Sequence, residues 1–362
     1  MSLDRHFIRS VELASVRTRY PRTVGRNARL GSHGDGGPDE IVILRTDTGK
    51  VGWGLSAGPV RAEQVIGRSV AELIDPAVGV RDDKLRGLDF ALHDLIGQIE
   101  DLPVHAILGS HGPTSIPCYD GAIYFADLDP DDEPGGLSTV LAHCAADDAA
   151  GYRAFKLKIG RGNRWMDRAA GDARDIEVTR AVREAYPDHG ILVDANDGYD
   201  CAGVIGYLEA VADCNLYWVE EPFPDDAADL ARLRQFLRGT GSATLIAEGE
   251  SDPQLETLLE IAGRGDIDVL LMDVVSFGLT SWRSVMPRIA ELGVRASPHA
   301  WGLPLKTLYA AQLAAGLGQV DIVEGVPGET IGVDTSGYLW QDGTFSVPDR
   351  PGFGLPLSLA AS

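Results

Sequence analysis

The sequence predicts an α/β protein in which a barrel of parallel strands follows a smaller α+β region. From residue 116 onward, eight short apolar runs recur, and helical stretches separate them. Strands that alternate with helices are typical of parallel βα units, and about 210 residues is enough for a small (β/α) barrel. An open doubly wound sheet is the alternative, but it would be expected to carry a glycine fingerprint after its first strand. The stretch IPCYDGAIYF has none.

The first region, residues 1–115, has an α+β pattern. Residues 5 to about 60 have the character of strands, and EIVILRTDTGKVGWG predicts two of them around a TDTGK turn. The polar, glycine-rich stretch VGRNARLGSHGDGG predicts a mobile loop within about residues 20–37. Apolar residues then recur at the spacing of a helix: Leu85, Leu88, Leu92, Leu95 and Ile99.

The barrel region, residues 116–325, shows helical stripes between its apolar runs. Residues with the i, i+3, i+4, i+7 spacing of one helix face are Val178, Ala181, Val182 and Ala185, and a second set is Leu230, Leu233 and Leu237. From Gly325 onward the stretch GVPGETIGVDTSGYLW has an irregular pattern. Residues 326–362 are the remaining, C-terminal segment of the chain.

The composition narrows the partners and the compartment. A net charge of −22 argues against nucleic acid and anionic membranes, and an anionic substrate would need local positive charge. No apolar run is as long as a membrane span, and MSLDRHFIRS lacks the apolar stretch of a signal peptide. The four cysteines form no CxxC, which predicts reduced thiols in a cytoplasmic protein: Cys118, Cys144, Cys201 and Cys214.

Reactive side chains follow seven consecutive strands of the predicted barrel. A single acid after a strand is usually a helix cap or a loop charge, but seven in succession are difficult to explain in that way. The carboxyl ends of parallel barrel strands open onto one face, where active sites of this fold are found, so we expect these groups to converge. They are Lys158, Asp194, Glu220, Glu250, Asp273, His299 and Glu324.

Three of these groups predict a magnesium site. Asp194, Glu220 and Glu250 follow three successive strands and bring no cysteine or histidine with them. Hard carboxylates of this kind suit Mg²⁺ and leave room for water and a substrate oxygen, whereas zinc prefers softer ligands. Without a cation, three clustered carboxylates would repel one another strongly.

Two lysines and a histidine flank the predicted metal site. In AFKLKIG, strand periodicity puts Lys156 and Lys158 on the same face, which could be a solvated edge but fits the barrel mouth better. Lys158 is the predicted base, and the charge of Lys156 is expected to lower its pKa and to bind an anion. On the other side, Asp273 is expected to orient His299 through one ring nitrogen.

These residues together resemble the enolase superfamily, in its mandelate racemase subgroup. The resemblance covers nearly the whole chain, through LDFALHDLIGQIEDLPVHAILG, KLK, DAN, VEEP, GE and the later MD and SPHAWG motifs, in that order. It implies a modified (β/α)7β barrel without the last regular helix, an α+β capping domain, and a C-terminal segment that returns to the cap. It also implies Mg²⁺ and a homo-oligomer.

The resemblance assigns roles to further residues. Glu324 resembles the electrophilic acid that donates a hydrogen bond to a substrate carboxylate oxygen, with Glu329 as a fallback. Glu221 is expected to lie behind the metal ligands, and Asn196 to contact substrate. The implied chemistry is removal of the α-proton of a carboxylate substrate, with an enediolate stabilised by the metal by roughly several kcal/mol.

The enediolate of such a reaction has three possible fates. Dehydration of an acid sugar, an aldonate or an aldarate, would use Lys158 as base and His299 to protonate the departing hydroxyl, and this reaction is favoured by the resemblance. Racemisation of a 2-hydroxy acid would use the same two groups in turn. A cycloisomerase or dipeptide epimerase normally carries a lysine on the sixth strand, where this chain has Asp273. A non-catalytic metal-binding barrel is disfavoured because Lys158 and His299 are both present.

The polar loop supplies the candidates for substrate recognition. Its side chains suit hydroxyls or a second carboxylate better than an aromatic ring, and ordinary solvated loop charge is the alternative. Tryptophans at two positions fit either the pocket wall or the core equally well. The loop candidates are Arg26, Asn27, Arg29 and His33, and the tryptophans are Trp53 and Trp301.

Overall fold

The structure, a computed structural model, describes residues 2–250 and 254–358. Its strands are β1 (Ile8–Arg19), β2 (Pro38–Thr46), β3 (Val51–Leu55), β4 (Ile74–Asp75), β5 (Gly79–Val80), β6 (Ser115–Ile123), β7 (Ala154–Lys158), β8 (Gly190–Asp194), β9 (Trp218–Glu220), β10 (Leu245–Glu248), β11 (Val269–Leu270), β12 (Arg295–Ala296), β13 (Val323–Gly325), β14 (Glu329–Ile331), β15 (Leu339–Gln341) and β16 (Thr344–Ser346). Its α-helices are α1 (Val70–Leu73), α2 (Asp89–Glu100), α3 (Val104–Leu108), α4 (Gly136–Ala149), α5 (Arg168–Ala185), α6 (Cys201–Ala210), α7 (Ala227–Thr240), α8 (Leu255–Gly263), α9 (Val274–Phe277), α10 (Leu279–Leu292) and α11 (Pro304–Leu317). Among the described residues, no helix combines the length and hydropathy needed to span a bilayer.

The first region forms an antiparallel sheet in the order β14-β1-β2-β3, with α2 packed against it. The predicted turn joins β2 to β3, and Thr46 and Lys50 pair across it. The two glycines of the GWG stretch allow α2 to approach closely. A Cβ at Gly52 would lie 2.5 Å from the Cβ of Leu95, and a side chain there would push the helix away.

Helical leucines were predicted correctly, but the helix starts later than their spacing suggests. Leu85 and Leu88 lie in a 3-10 turn, Asp83–Leu88, and the α-helix begins only at Asp89. Both leucines are buried all the same. The periodicity records which side chains face the core, and a 3-10 turn that leads into an α-helix keeps nearly the same face buried.

Eight parallel strands form the barrel that the apolar runs predict. The strand order is β12-β11-β10-β9-β8-β7-β6, with β13 paired to β6, and a bridge between Ala296 and Val320 brings the two ends together. The fold class is therefore confirmed, and the doubly wound alternative is wrong. A layer of large side chains fills the interior below the carboxyl ends of the strands: Tyr119, Leu192, Trp218, Ala247, Val269 and Leu271.

The chain after β13 contains no helix between residues 326 and 358. Instead, β14 pairs with β1 of the first sheet, with Ile331 opposite Arg17. The β15–β16 hairpin then extends the amino-terminal part of β6. The last segment thus links the barrel to the first region.

The polar loop between β1 and β2 lies against the barrel. A bridge between Val24 and Gly34 folds the loop on itself. The indole of Trp165, in the loop after β7, donates to the carbonyl of Asn27 at 2.6 Å. The loop predicted to be mobile is therefore tied to the strand that carries the two lysines.

Candidate active site

The two lysines of β7 point into the barrel and are buried. Lys156 is 0% exposed and Lys158 is 4% exposed. The ammonium group of Lys156 lies 2.6 Å from Glu220, 2.7 Å from Glu324 and 3.4 Å from Asp194. A solvated edge strand, the alternative for this KxK pattern, is therefore excluded.

Three carboxylates from successive strands meet beside these lysines. Asp194 ends β8, Glu220 ends β9 and Glu250 follows β10, and each offers an oxygen within 4.8 Å of the other two. Asp194 and Glu220 are fully buried, and one oxygen of Glu250 is buried without a hydrogen-bond partner among the described residues. Buried, closely spaced carboxylate oxygens of this kind can hold a hard divalent cation.

Lys158 is closely paired with Asp194, and this pairing governs its protonation. Burial has the largest single influence and lowers the pKa of Lys158, and Lys156 also lowers it. Asp194, together with Glu250 and Glu220, outweighs both, so that the pKa lies above the ordinary lysine value. Lys156 thus acts in the expected direction. The pKa of Lys158 was expected to be low, but the protein side chains alone raise it. The reason is that the carboxylates around Lys156 and Lys158 outnumber the two ammonium groups.

His299 contacts a different carboxylate of the cluster from Lys158 and is held by Asp273. The Nδ1 atom of His299 is 3.0 Å from Asp273, and its Nε2 atom is 3.2 Å from Glu250. Asp273 follows β11, caps α9 with its other oxygen and also accepts from Lys306 at 2.6 Å. Burial opposes a charged imidazole, but Glu250 and Glu324 outweigh it and raise the pKa of His299.

Glu324 is fully buried on β13 and differs from the expected hydrogen-bond donor. Its Oε2 atom accepts from the backbone N–H of Ala300 at 2.8 Å. Burial raises its pKa, but Lys156 and then His299 outweigh this and leave the pKa below the ordinary glutamate value. Glu324 therefore binds as a carboxylate here. The proximity of Lys156 is the physical reason, and the sequence spacing alone did not reveal it.

Comparison with known proteins identifies the family to which this chain belongs. The family model described as "Enolase C-terminal domain-like" matches residues 140–361, more than half of the chain. The chain belongs to the enolase superfamily. Its relatives place it with the mandelate racemase-like, acid-sugar dehydratase members.

Similar proteins span nearly the whole length of this superfamily member. Galacturonate dehydratase from Geobacillus sp., solved with D-galacturonate and 5-keto-4-deoxy-D-galacturonate, is 33% identical, with 99% of this chain and 95% of that chain covered and a TM-score of 0.92. A mutant of galacturonate dehydratase from Geobacillus sp., complexed with Mg, is 32% identical, with 98% and 93% covered and a TM-score of 0.92. D-galactarolactone cycloisomerase from Agrobacterium fabrum is 27% identical over 354 residues, 88% of each chain.

Of three further residues that the sequence suggested for the site, Glu221 lies there, and Glu329 and Trp53 do not. Glu221 lies next to the ligand cluster, and burial together with Glu250 raises its pKa to about 9. Glu329, the fallback for Glu324, is exposed on β14 and pairs with Arg19. The structure therefore excludes Glu329 from the site. Trp53 is also excluded, because it is buried in the cap and donates to the carbonyl of Leu355.

Asn196 lies at the ligand cluster. Its backbone N–H donates to Asp194 at 2.9 Å and its side-chain amide donates to Glu221 at 3.3 Å. Its Oδ1 atom is buried without a hydrogen-bond partner among the described residues. The backbone at Asn196 has a φ of 44°, which asparagine tolerates better than most residues. An acceptor is thus available for a ligand hydroxyl.

The charged side chains of the polar loop are occupied by other partners. Arg26 pairs with Asp129 and Asp131 and lies over Trp165, and Arg29 pairs with Asp197 at 2.7 Å. Asn27 uses its side chain to accept the backbone N–H groups of residues 29 and 30. The expectation that Arg26 and Arg29 are open to a substrate is therefore wrong for this conformation, because neighbouring carboxylates already neutralise them.

His33 and Trp301, in contrast, lie together beside Lys158. The His33 ring is 6.4 Å from the Trp301 ring and 4.8 Å from the Tyr124 ring. The Tyr124 ring is 5.0 Å from Trp301, and the ammonium of Lys158 lies 5.1 Å from its centroid. These three rings, His33, Tyr124 and Trp301, are called the aromatic wall below.

Two residues of the site, Tyr124 and Lys306, were not predicted from the sequence. Tyr124 directly follows the first barrel strand, so the rule that singled out the other strand ends could have found it. Lys306 lies in the first turn of α11, and its contact with Asp273 joins residues 33 positions apart. No periodicity or motif marks Lys306, since only the packing of α11 brings it to Asp273.

Proposed function

We propose that this enzyme removes the α-proton of a carboxylate substrate in a Mg²⁺-dependent reaction, and that it dehydrates an acid sugar to a 2-keto-3-deoxy acid. One observation carries the proposal. The cluster of Asp194, Glu220 and Glu250 has Lys158 in contact at one end and His299 in contact at the other. A substrate carboxylate at the cluster would thus present its α-carbon between an amine and an imidazole.

Mg²⁺ suits the residues present. Asp194, Glu220 and Glu250 provide hard oxygen ligands from three strands, and the partnerless buried oxygen of Glu250 is the kind of atom that a cation satisfies. When bound, the ion would supply positive charge at the substrate carboxylate, which stabilises the enediolate and lowers the pKa of the neighbouring Lys158.

In the proposed reaction, Lys158 takes the proton from the carbon next to the substrate carboxylate. The C–O bond at the β-carbon then breaks, and His299 donates a proton to the departing hydroxyl, so that water leaves. The resulting enol becomes the 2-keto-3-deoxy acid. Asp273 orients His299 through Nδ1, and this contact leaves Nε2 directed at the site. Asn196 is proposed to accept a hydrogen bond from a substrate hydroxyl, and Glu324 to fix Lys156.

Racemisation or epimerisation of a 2-hydroxy acid is the second candidate. The same opposed pair would support it, since one group could remove the proton and the other return it to the opposite face. A cycloisomerase or a dipeptide epimerase is a separate alternative. It is disfavoured because Asp273 occupies the strand where such an enzyme normally carries a lysine, although a similar protein is named as a cycloisomerase. Dehydration remains the first proposal, supported by the similarity to galacturonate dehydratase.

The proposed partner is a small carboxylate, and the proposed setting is the cytoplasm. The net charge of −22 disfavours nucleic acid and anionic lipid. The four cysteines are free and buried, as expected where thiols remain reduced. A homo-oligomer is proposed from the family resemblance.

The proposal is tested with a library of acid sugars incubated with the purified protein and Mg²⁺. Formation of a 2-keto acid with loss of water, detected by semicarbazide trapping and mass spectrometry, would support dehydration. Deuterium exchange or inversion at the α-carbon without a keto product would indicate a racemase instead. If no member of the library exchanges its α-proton in D₂O, the proposed chemistry is wrong.

A further inference from the structure

The cationic side chains of the polar loop and of the first turn of α11 already pair with carboxylates of the protein. Arg26 and Arg29 are held in the ion pairs described above, and Lys306 is bound to Asp273. The three residues between the described ranges, 251–253, are Ser, Asp and Pro and bring no cation. Arg164, in the loop after β7, is exposed, donates to the carbonyl of Arg29 and lies over the ring of Trp165. Among the described residues of the loop and the strand ends, the largely buried cations that contact the carboxylate cluster are thus Lys156, Lys158 and His299, which belong to the reaction centre.

The aromatic wall offers polar atoms that lack partners. The indole N–H of Trp301 is buried and donates to no group among the described residues. The hydroxyl of Tyr124 also makes no hydrogen bond within the described part of the chain. Unlike the Trp301 N–H it is not fully buried, so it is open to a ligand. An unpaired buried donor costs about 1–3 kcal/mol, so a structure that keeps one is expected to use it for a ligand.

His33 adds a neutral group to the same wall. Its Nδ1 atom lies 2.8 Å from the carbonyl of Gly25, which uses one side of the ring. Burial lowers its pKa, the hydrogen bond to Gly25 opposes this, and the nearby Lys158 lowers it again, which leaves the pKa below the ordinary histidine value and favours the neutral ring. Tyr20 stacks on Trp301 but uses its hydroxyl for the carbonyl of Gly302 at 2.6 Å. Tyr20 therefore supports the wall and offers no hydrogen bond to a ligand.

We infer that the part of the substrate beyond the reacting carbons is neutral and hydroxylated, and that Tyr124 and Trp301 recognise its hydroxyls. This inference rests on the proposed function and narrows it to monocarboxylate sugars, such as aldonates and uronates. A second carboxylate at the aromatic wall would be desolvated without a cationic partner, which is costly, whereas a hydroxyl can pair with phenol and indole groups.

The first test compares matched substrates that differ only at the far end. The purified enzyme with Mg²⁺ is assayed on galactonate against galactarate, gluconate against glucarate, and arabinonate against arabinarate, with α-proton exchange in D₂O and keto-acid formation as readouts. We expect kcat/KM for the monoacid of the active pair to exceed that of its diacid by at least about tenfold. Equal or better turnover of diacids would overturn this inference and leave the proposed function standing. No exchange with any compound would overturn both.

The second test removes a single hydroxyl from the wall. Tyr124→Phe keeps the ring beneath Lys158, so only the hydrogen bond to the substrate is lost. We expect kcat/KM for the best monoacid to fall by about tenfold, mainly through KM, with Mg²⁺ affinity unchanged by calorimetry. Tyr152→Phe is the matched control, since Tyr152 is also buried but packs against Trp340, away from the site. Equal kinetics of Tyr124→Phe and Tyr152→Phe would contradict recognition by Tyr124.

Discussion

Lys158 and His299 have different charged neighbours, and these neighbours suit Lys158 to act as a base and His299 to act as an acid. Lys158 is in contact with Asp194, a proposed metal ligand, so bound metal would directly favour its neutral, basic form. His299 is held by Asp273 and has Glu250 and Glu324 nearby, which favour the protonated ring. A neutral amine can take the α-proton, and a protonated imidazole can supply the proton that a leaving hydroxyl needs.

Single substitutions of Lys158 and His299 should therefore affect α-proton exchange and dehydration differently. Lys158→Met is expected to abolish both α-proton exchange and dehydration, by about 10²–10⁴-fold, because the base is removed. His299→Asn should lose dehydration to a similar extent while it retains exchange in D₂O. Exchange and product formation are measured together by NMR, with Lys84→Met, an exposed lysine far along the chain, as the control.

The reverse pattern would assign the base to the imidazole. If Lys158→Met exchanged the α-proton at the wild-type rate while His299→Asn did not, the roles would have to be exchanged. Near-native dehydration by both variants would contradict any part for this pair.

At the level of single residues, the sequence predicted which side chains carry charge but not how those charges pair. Strand alternation identified Lys156 and a strand end identified Glu324, yet their mutual contact joins residues 168 positions apart and reverses the expected protonation of Glu324. Arg26 was likewise identified as a charged loop residue, but the sequence did not show that it pairs with Asp129 and Asp131. Pairing depends on neighbours that only the folded chain supplies, and no local pattern encodes them.

The end of β7 is fixed by a buried arginine. The guanidinium of Arg161 lies 2.7 Å from Asp127 and 2.6 Å from Asp175, and it donates to the carbonyl of Lys158 at 3.3 Å. Asp175 lies on α5 and also accepts from the hydroxyl of Tyr199 at 2.7 Å. The arginine thus joins the strand that carries the base to the following helix.

Loss of this arginine should be costly. Arg161→Met leaves two buried carboxylates without their partner, so the free energy of unfolding is expected to fall by about 3–5 kcal/mol. Urea denaturation followed by circular dichroism measures the change. Arg232→Met, which removes an exposed arginine paired with Asp229 on α7, should change it by less than about 0.5 kcal/mol. Equal effects of the two substitutions would show that the buried cluster has no special role.

At the level of elements, the apolar runs predicted the number and order of the barrel strands but not their lengths. The strands β11 and β12 have two residues each, although the runs that predicted them are longer. Apolar residues continue beyond the last ladder hydrogen bond because the loops at the barrel mouth are themselves buried. The predicted helical stripes do lie in α5 and α7, where Val182 and Leu230 are fully buried.

The whole molecule is acidic, yet its reaction centre concentrates cations. The net charge is −22, while Lys156, Lys158 and His299 lie at one end of the barrel. These cations offset the buried carboxylates there, and a divalent ion would complete the compensation. The stability of the whole fold should then depend on Mg²⁺, because a ligand that binds only the folded state stabilises it.

Mg²⁺ should raise the melting temperature of the wild-type protein after treatment with EDTA. At 100 times its dissociation constant, the ion is expected to add about 2.7 kcal/mol to the free energy of unfolding. Glu220→Gln should abolish this response, whereas Glu329→Gln, at an exposed position on β14, should retain it. Differential scanning calorimetry measures the shift. A full Mg²⁺ response in Glu220→Gln would remove Glu220 from the proposed ligand set.

A crystal structure with Mg²⁺ and a non-reacting sugar-acid analogue tests the central claim most directly. We predict one ion bound by Asp194, Glu220 and Glu250, with Lys158 and His299 on opposite faces of the α-carbon, each within about 3–3.5 Å of the hydrogen or hydroxyl it serves. An ion bound elsewhere, or either nitrogen more than about 10 Å from the ion, would contradict it, since proton transfer requires nearly hydrogen-bonded contact.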